Sequence, residues 1–167
     1  QEKSRDSFME YIRFIWPNFI EGDHHRVVAD KLTAVAKGDI KRLIVNMPPR
    51  HTKSEFASVY FPSWIMGIKP DMKIMQTTHT ADLSVRFGRK VRNLMDSDEY
   101  ASIFPSVTLS ADSKSAGRWE TSQGGEYFAA GVGGAITGRG ADLLIIDDPH
   151  SEQDALSPNL LESAYEW

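Results

Sequence analysis

The feature that most constrains the fold of this chain is a change in the spacing of its apolar residues. Over residues 5–20 and 23–36 they recur at helical spacing, whereas after residue 38 short apolar runs alternate with further helix-like segments. Continuous apolar strands separated by helices are typical of a parallel sheet that is covered on both faces. The sequence therefore predicts an α/β fold.

The same pattern predicts where individual elements begin and end. Pro17 should end the first helix and Gly38 the second. Pro62 and Gly67 should limit a later helical run that begins at Lys53, because proline lacks the backbone donor that a helix interior needs and glycine is a poor helix former. Another helix is expected over residues 80–95. Strands are expected over residues 42–46, 73–77, 118–122, 126–130 and 143–146.

Composition excludes several classes of protein. With 167 residues, of which 41% are hydrophobic and 25% charged, the chain suits one globular domain and is too apolar for a disordered protein. It has no cysteine, which excludes a disulfide scaffold, a thiolate zinc site and a cysteine nucleophile, and which fits a reducing cytoplasm. No apolar run approaches the roughly 18 residues of a membrane-spanning helix. The net charge of −4 differs from that of a strongly basic DNA-coating protein, although a local patch could still bind DNA.

The first chemical motif is the segment MPPRHTKS at residues 47–54, between a predicted strand and a predicted helix. A phosphate-binding loop belongs at such a junction, where backbone amides face an anion, a lysine reaches the phosphates and a serine hydroxyl binds Mg²⁺. Only Lys53 and Ser54 match the pattern G-x-x-x-x-G-K-[ST], because Met47 and Thr52 occupy the glycine positions. The alternative is a Pro-Pro turn that Ser54 caps, with Lys53 in solvent.

The second motif is LLIIDD, in which four apolar residues lead into Asp147 and Asp148. In a phosphate-loop ATPase the strand beside the loop strand ends in this way, with the first acid near Mg²⁺ and the second polarising the attacking water. The alternative is a buried strand that ends in an ordinary polar turn at Asp-Asp-Pro. Each motif alone is weak, but the two together make a nucleotide site more probable.

The segments PPRHTKSE, TTHTADL and TGRGADLLIIDDPHS, in this order, resemble the ATPase domain of the large terminase subunit of tailed bacteriophages. The resemblance covers roughly residues 20–167. It implies a P-loop NTPase fold of the ASCE/RecA-like class, with a mainly parallel central sheet flanked by helices. It also implies Mg²⁺-dependent ATP hydrolysis that powers translocation of viral DNA into the procapsid. Thr52 departs from the family, in which glycine precedes the lysine.

The resemblance implies a role for each matching residue. Asp147 and Ser54 would hold Mg²⁺, and Asp148 would position or activate water. Arg50 would sense or stabilise the γ-phosphate, and Arg139 would enter the site of a neighbouring subunit. For Arg139, the alternatives are a position in solvent or an ion pair with Asp142. The implied ATP-binding residues are Pro49, Arg50, His51, Thr52, Lys53 and Ser54.

The resemblance also implies how the chain is organised and what it meets. Residues 1–38 would be a helical lead-in and residues 39–167 a nucleotide-binding core. The whole would be a partial N-terminal ATPase domain without the nuclease domain, so no nuclease activity is expected. The implied partners are double-stranded viral DNA, the portal protein and the small terminase subunit. A homo-oligomeric ring is expected on assembly, and a monomer is the alternative for the isolated chain. The expected location is the host cytoplasm, transiently at the procapsid portal, and no association with a membrane is expected.

The sequence leaves two alternative functions and the role of a histidine pair open. One rival function is a helicase-like ATPase of the same fold, and another is a non-hydrolysing nucleotide-binding or assembly module, which Thr52 and Asp148 motivate. His24 and His25 precede the second helix, where this fold often contacts adenine, but a surface or helix-capping role explains them equally well.

Overall fold

The computed structural model describes residues 2–112 and 115–167, and residues 2–37 are mainly helical. Helices α1 (Glu2–Asp6) and α2 (Phe8–Ile15) are separated at Ser7, and α3 spans Asp23–Lys37. Pro17 follows α2, as predicted. Gly38 ends α3 in the left-handed conformation at φ 85°, which glycine adopts without steric cost.

The helical run that begins at Lys53 continues past Pro62 and ends one residue after Gly67. It comprises α4 (Lys53–Glu55), a π-helical turn (Phe56–Tyr60) and α5 (Phe61–Ile68), so the predicted limit at Pro62 is wrong. The Phe61 amide bonds to the carbonyl of Phe56, which widens the turn just before the proline. Pro62 thereby enters the first turn of α5, where a missing backbone donor costs little.

The sheet has four strands among the described residues, in the order β2-β3-β1-β4. Strand β1 is parallel to both β3 and β4, and the short β2 is antiparallel to β3. This confirms the prediction of an α/β class with a mainly parallel sheet flanked by helices. The strands are β1 (Lys73–Thr78), β2 (Arg118–Glu120), β3 (Glu126–Gly131) and β4 (Leu143–Ile146).

Two predictions about buried strands are wrong. Residues 42–46 have no regular secondary structure and belong to none of the described ladders, and Ile44 is 85% exposed. An apolar run predicts burial, but it cannot supply the hydrogen-bonding partner that a strand needs. Strand β4 is at one edge of the described sheet, and Leu144 and Ile146, on one of its faces, are more than half exposed.

One of the remaining helices packs directly against the sheet. Helix α6 (Ala81–Met95) matches the helix predicted over residues 80–95, is capped by the side chain of Thr80, and packs against β1 and β3. Helices α7 (Asp98–Ile103) and α8 (Pro158–Glu166) and a 3-10 turn (Asp154–Leu156) were not predicted. None of the helices in the described part of the chain is long and apolar enough to cross a membrane.

An aromatic cluster joins the N-terminal helices to the helical run after the loop. The ring of Phe8 packs at 5.5–5.7 Å, centroid to centroid, against Phe56, Phe61 and Trp64. All four side chains are essentially inaccessible to solvent. This packing fixes α4 and the π-helical turn relative to α2, and therefore fixes the position of Lys53.

Candidate nucleotide site

The candidate site lies where loop 47–52 and the start of α4 meet the carboxyl ends of β1 and β4. Lys53 is the residue that joins the two motifs. Its Nζ atom lies 3.2 Å from Oδ1 of Asp147 and forms a second, closer ion pair with Oδ1 of Asp148. Two motifs that are 95 positions apart in the sequence therefore share one charged cluster.

The charges in this cluster are partly shielded from water. Asp147 is buried, Lys53 is 22% exposed and Asp148 is 61% exposed. Burial lowers the pKa of Lys53, but its hydrogen bonds and charge interactions with Asp148 and Asp147 outweigh burial and raise that pKa above its usual value. Lys53 is therefore a firmly charged cation placed between two acids, and only one of these acids is open to solvent.

A buried network of side-chain hydrogen bonds, which sequence reasoning missed, orients the carboxylate of Asp147. Ser58 donates a hydrogen bond of 2.8 Å to Oδ2 of Asp147, and the amide of Gln76 donates at 3.1 Å to the Ser58 hydroxyl. Ser58 and Gln76 are fully buried. The only signal in the sequence was a serine within an apolar helical run, which does not reveal its partner. With Lys53 on its other oxygen, Asp147 is fixed on both sides.

The loop reaches the helix through residues in the left-handed backbone conformation. Arg50 has φ 63° and Thr52 has φ 64°, and Asp148 on the facing loop has φ 46°. The hydroxyl of Thr52 donates to its neighbouring carbonyl at His51 and does not cap the helix. Amides at the start of a helix lack intrahelical partners, so this arrangement leaves the first turn suited to an anion.

His25 contacts the loop from α3. It is 5% exposed, its Nδ1 accepts the Gly22 amide at 2.8 Å, and its Nε2 lies 2.8 Å from the Thr52 hydroxyl. Of the two readings of His25, the structure supports helix capping. His24 is exposed, and its ring lies 5.7 Å from that of His51.

The other loop residues surround Lys53 with mixed exposure. Pro49 and Arg50 are exposed, and Ser54 is half-buried in the first helical turn. The exposed His51 donates through Nδ1 to the carbonyl of Pro49 at 2.9 Å, which closes the turn. The predicted ATP-binding residues thus form one continuous turn into α4.

Arg139 does not join this cluster. Its guanidinium lies 4.1 Å above the ring of Phe128 and 3.3 Å from Glu126, instead of pairing with Asp142. Glu126 is level with Lys73 at the start of β1, whereas Asp147 follows the end of β4. Arg139 is therefore at the opposite end of the strands from Lys53. Its predicted role in a neighbouring subunit stays a prediction.

Comparison with models of known protein families finds no match, and a sequence comparison with characterised proteins finds none either. The case for a function therefore depends on the geometry of the site and on the motifs within it.

Proposed function

We propose that this chain is a P-loop ATPase of the ASCE/RecA-like class that hydrolyses ATP with Mg²⁺. The observation that carries the proposal is the position of Lys53 between Asp147 and Asp148. A lysine at the start of a helix, beside two acids at the end of a parallel strand, is the set of charges that triphosphate chemistry requires. Lys53 is 22% exposed and paired with both acids, which favours this function over a capped turn with the lysine in solvent.

The residues present fit a magnesium nucleotide. In the described residues no group of three or more His, Cys, Asp or Glu side chains could hold a metal by itself. Mg²⁺ at nucleotide sites is usually held by one or two protein oxygens, several waters and the phosphates of the substrate. Asp147 and the hydroxyl of Ser54 would supply those oxygens. When bound, Mg²⁺ neutralises negative charge on the phosphates.

The site's own residues divide the work in the proposed reaction. Lys53, the loop amides and Arg50 bind the phosphates, and Asp148 orients a water for in-line attack on the γ-phosphorus. The bond from that phosphorus to the bridging oxygen breaks, which gives ADP and inorganic phosphate. A phosphate that recruits Lys53 also releases the carboxylate of Asp148, so binding would prepare the acid that acts on water.

The wider role rests on the resemblance described above. We place the ATPase in a DNA-packaging motor of a tailed bacteriophage, as the motor domain of a large terminase subunit. Double-stranded DNA, the portal protein and the small subunit would be its partners, in a ring of identical subunits in the host cytoplasm. Arg139, which lies outside its own chain's cluster, is compatible with a contact between subunits.

Two measurements on the purified chain test the ATPase proposal. Calorimetry with a non-hydrolysable ATP analogue measures binding, and colorimetric phosphate release with Mg²⁺ or with EDTA measures turnover. Binding together with Mg²⁺-dependent release is the expected result. Binding without release that persists in the assembled ring would favour the non-hydrolysing module, and the absence of both would contradict a nucleotide site.

A further inference from the structure

The hydrogen bonds of His25 define its protonation state. Its Nδ1 accepts from the Gly22 amide, which can only donate, so Nδ1 carries no proton. In the neutral ring the proton is then on Nε2, and Nε2 donates to the Thr52 hydroxyl. That hydroxyl in turn donates to the carbonyl of His51 at 2.6 Å. A directed chain of three hydrogen bonds therefore links the start of α3 to the loop.

Thr52 is a residue that needs such support. A β-branched side chain at φ 64° crowds its own backbone, and the left-handed conformation is unfavourable for a residue other than glycine. The bond from His25 and the bond to His51 hold both sides of the Thr52 hydroxyl. The backbone at this position also sets the direction in which Lys53 leaves the loop.

His25 is itself held rigidly. Its ring packs 4.8 Å from that of Phe19 and 5.2 Å from that of Phe56, centroid to centroid. Phe56 belongs to the π-helical turn that follows α4. His25 therefore relates α3, the loop and the helical run to one another through a single buried side chain.

We infer that His25 is a positioning residue of the phosphate loop, which through Thr52 holds the left-handed turn that presents Lys53 to a nucleotide. This inference rests on the proposed nucleotide site and adds a residue from outside the loop to it. It also explains how this loop works with threonine where its pattern expects glycine: the conformational freedom of glycine is replaced by a hydrogen bond.

A double-mutant cycle tests the inference. His25→Asn keeps an acceptor for the Gly22 amide but is too short to reach Thr52. We expect it to weaken binding of a non-hydrolysable ATP analogue about tenfold, the size of the cost of a left-handed residue held without support. In the Thr52→Gly background the same substitution should have little further effect, because glycine needs no such support. Equal losses in both backgrounds would overturn the inference.

A second pair of variants tests the inference independently, in case His25→Asn does not fold. Thr52 lies in the loop outside the core, so Thr52→Val and Thr52→Ser can be compared without disturbing α3. Valine has the same branching but no hydroxyl, whereas serine retains the hydroxyl. We expect the valine variant to lose affinity and the serine variant to retain more of it. Equal losses in the two variants would contradict a role for the His25 bond.

A nucleotide-free measurement separates this inference from the proposed function. Nitrogen-15 NMR of the histidine side chains reports whether Nε2 of His25 carries the proton, and the backbone shifts of Thr52 report its conformation. We expect the Nε2–H form in the free protein and a shift of the Thr52 signals in His25→Asn. An Nδ1–H form or unmoved Thr52 signals would overturn the inference. If these signals behave as expected but no nucleotide binds, the proposed function fails and the coupling of His25 to the loop stands.

Discussion

The ammonium group of Lys53 lies 3.2 Å from the buried carboxylate of Asp147 and also pairs with the exposed carboxylate of Asp148. The Lys53 ammonium thus forms ion pairs with two carboxylates that differ in their exposure to water. The buried acid is fixed by Ser58 as well, whereas the exposed acid has Lys53 as its charged partner. This asymmetry gives the two acids different expected roles and can be tested one residue at a time.

Lys53→Ala should abolish nucleotide binding and turnover while the domain stays folded. The substitution removes the charge that would meet the phosphates, and Asp147 keeps its hydrogen bond from Ser58. Calorimetry would measure binding of the ATP analogue, and circular dichroism would check the fold.

Lys90→Ala is the matched control, because Lys90 forms a surface ion pair with Glu55 near the same helical run. Exposed pairs of this kind contribute little to stability. Loss of binding in both lysine variants, or in neither, would remove Lys53 from the proposed site.

Asp147→Asn should weaken Mg²⁺-dependent binding, whereas Asp148→Asn should mainly lower turnover. The first acid is buried and fixed beside the lysine, as expected for an acid near a metal, and the second is exposed to the water it would orient. Titration with Mg²⁺ and steady-state phosphate release separate the two effects. If Asp148→Asn retains full turnover, a different acid, such as Glu152 or Asp154, must act on the water.

A shared site for Lys53 and the two acids could be predicted from the sequence because the two motifs together match a phosphate-loop site. Neither motif alone was specific. The alternation of apolar runs and helical segments predicted the α/β class. It did not predict that residues 42–46 would stay outside the ladders or that one face of β4 would be exposed. Apolar character reports burial only when a neighbouring element is known.

The supporting residues could not be predicted, because their roles depend on atomic register. Ser58 reaches Asp147 from a π-helical turn, and no pattern in FASVY distinguishes that turn from an α-helix. His25 supports Thr52 through one tautomer of its ring and a contact across 27 positions. Both links arise from the packing of elements, which local sequence patterns do not specify.

Ser58→Ala should weaken Mg²⁺-dependent nucleotide binding about tenfold or more, the cost typical of removing a group that orients a metal ligand. It frees Oδ2 of Asp147 and leaves the buried amide of Gln76 without its acceptor. The free energy of unfolding should also fall by about 1–3 kcal/mol. Magnesium titration of nucleotide binding and urea unfolding would measure the two effects.

Ser63→Ala provides the control for that loss of stability. Ser63 is equally buried in the next helical segment and bonds to the hydroxyl of Tyr11 at 2.7 Å, away from the acids. It should lose stability without any change in magnesium dependence. If both serine variants change magnesium dependence alike, the effect of Ser58 is general destabilisation.

The stability of the wild-type protein should decrease with falling pH more than that of His25→Gln. Burial, and then the charge of His24, lower the pKa of His25, with a further lowering from His51 and an opposing effect of Glu21. The unfolded state therefore binds a proton before the folded state does. The contribution of neutral His25 to the free energy of unfolding is complete above the ordinary histidine pKa of about 6.5. It is lost as the pH falls below that value toward the lower pKa of His25 in the folded state.

Glutamine keeps a donor and an acceptor on one amide but does not titrate, so it isolates the contribution of His25. Urea unfolding between about pH 5 and pH 8 would measure both proteins. Parallel pH profiles of the two free energies of unfolding would show that His25 is not the titrating group. Because nucleotide phosphates titrate in the same range, the comparison uses unfolding without nucleotide.

The last prediction concerns Arg139, which lies at the far end of the strands from its own chain's cluster. If it acts in a neighbouring subunit, an isolated subunit should be a poor ATPase, since arginines of this kind contribute about 10³–10⁵ in rate. In the assembled ring, Lys53→Ala loses its own site but still donates Arg139, whereas Arg139→Ala keeps its site and donates nothing. Mixed rings of the two inactive variants should regain part of the activity, measured as phosphate release.

An arginine that acts within its own chain gives no such recovery, because no subunit in the mixture has both parts. A mixture as inactive as its components, with mixed assembly confirmed, would exclude the role in a neighbouring subunit, and full activity of Arg139→Ala alone would exclude any catalytic role.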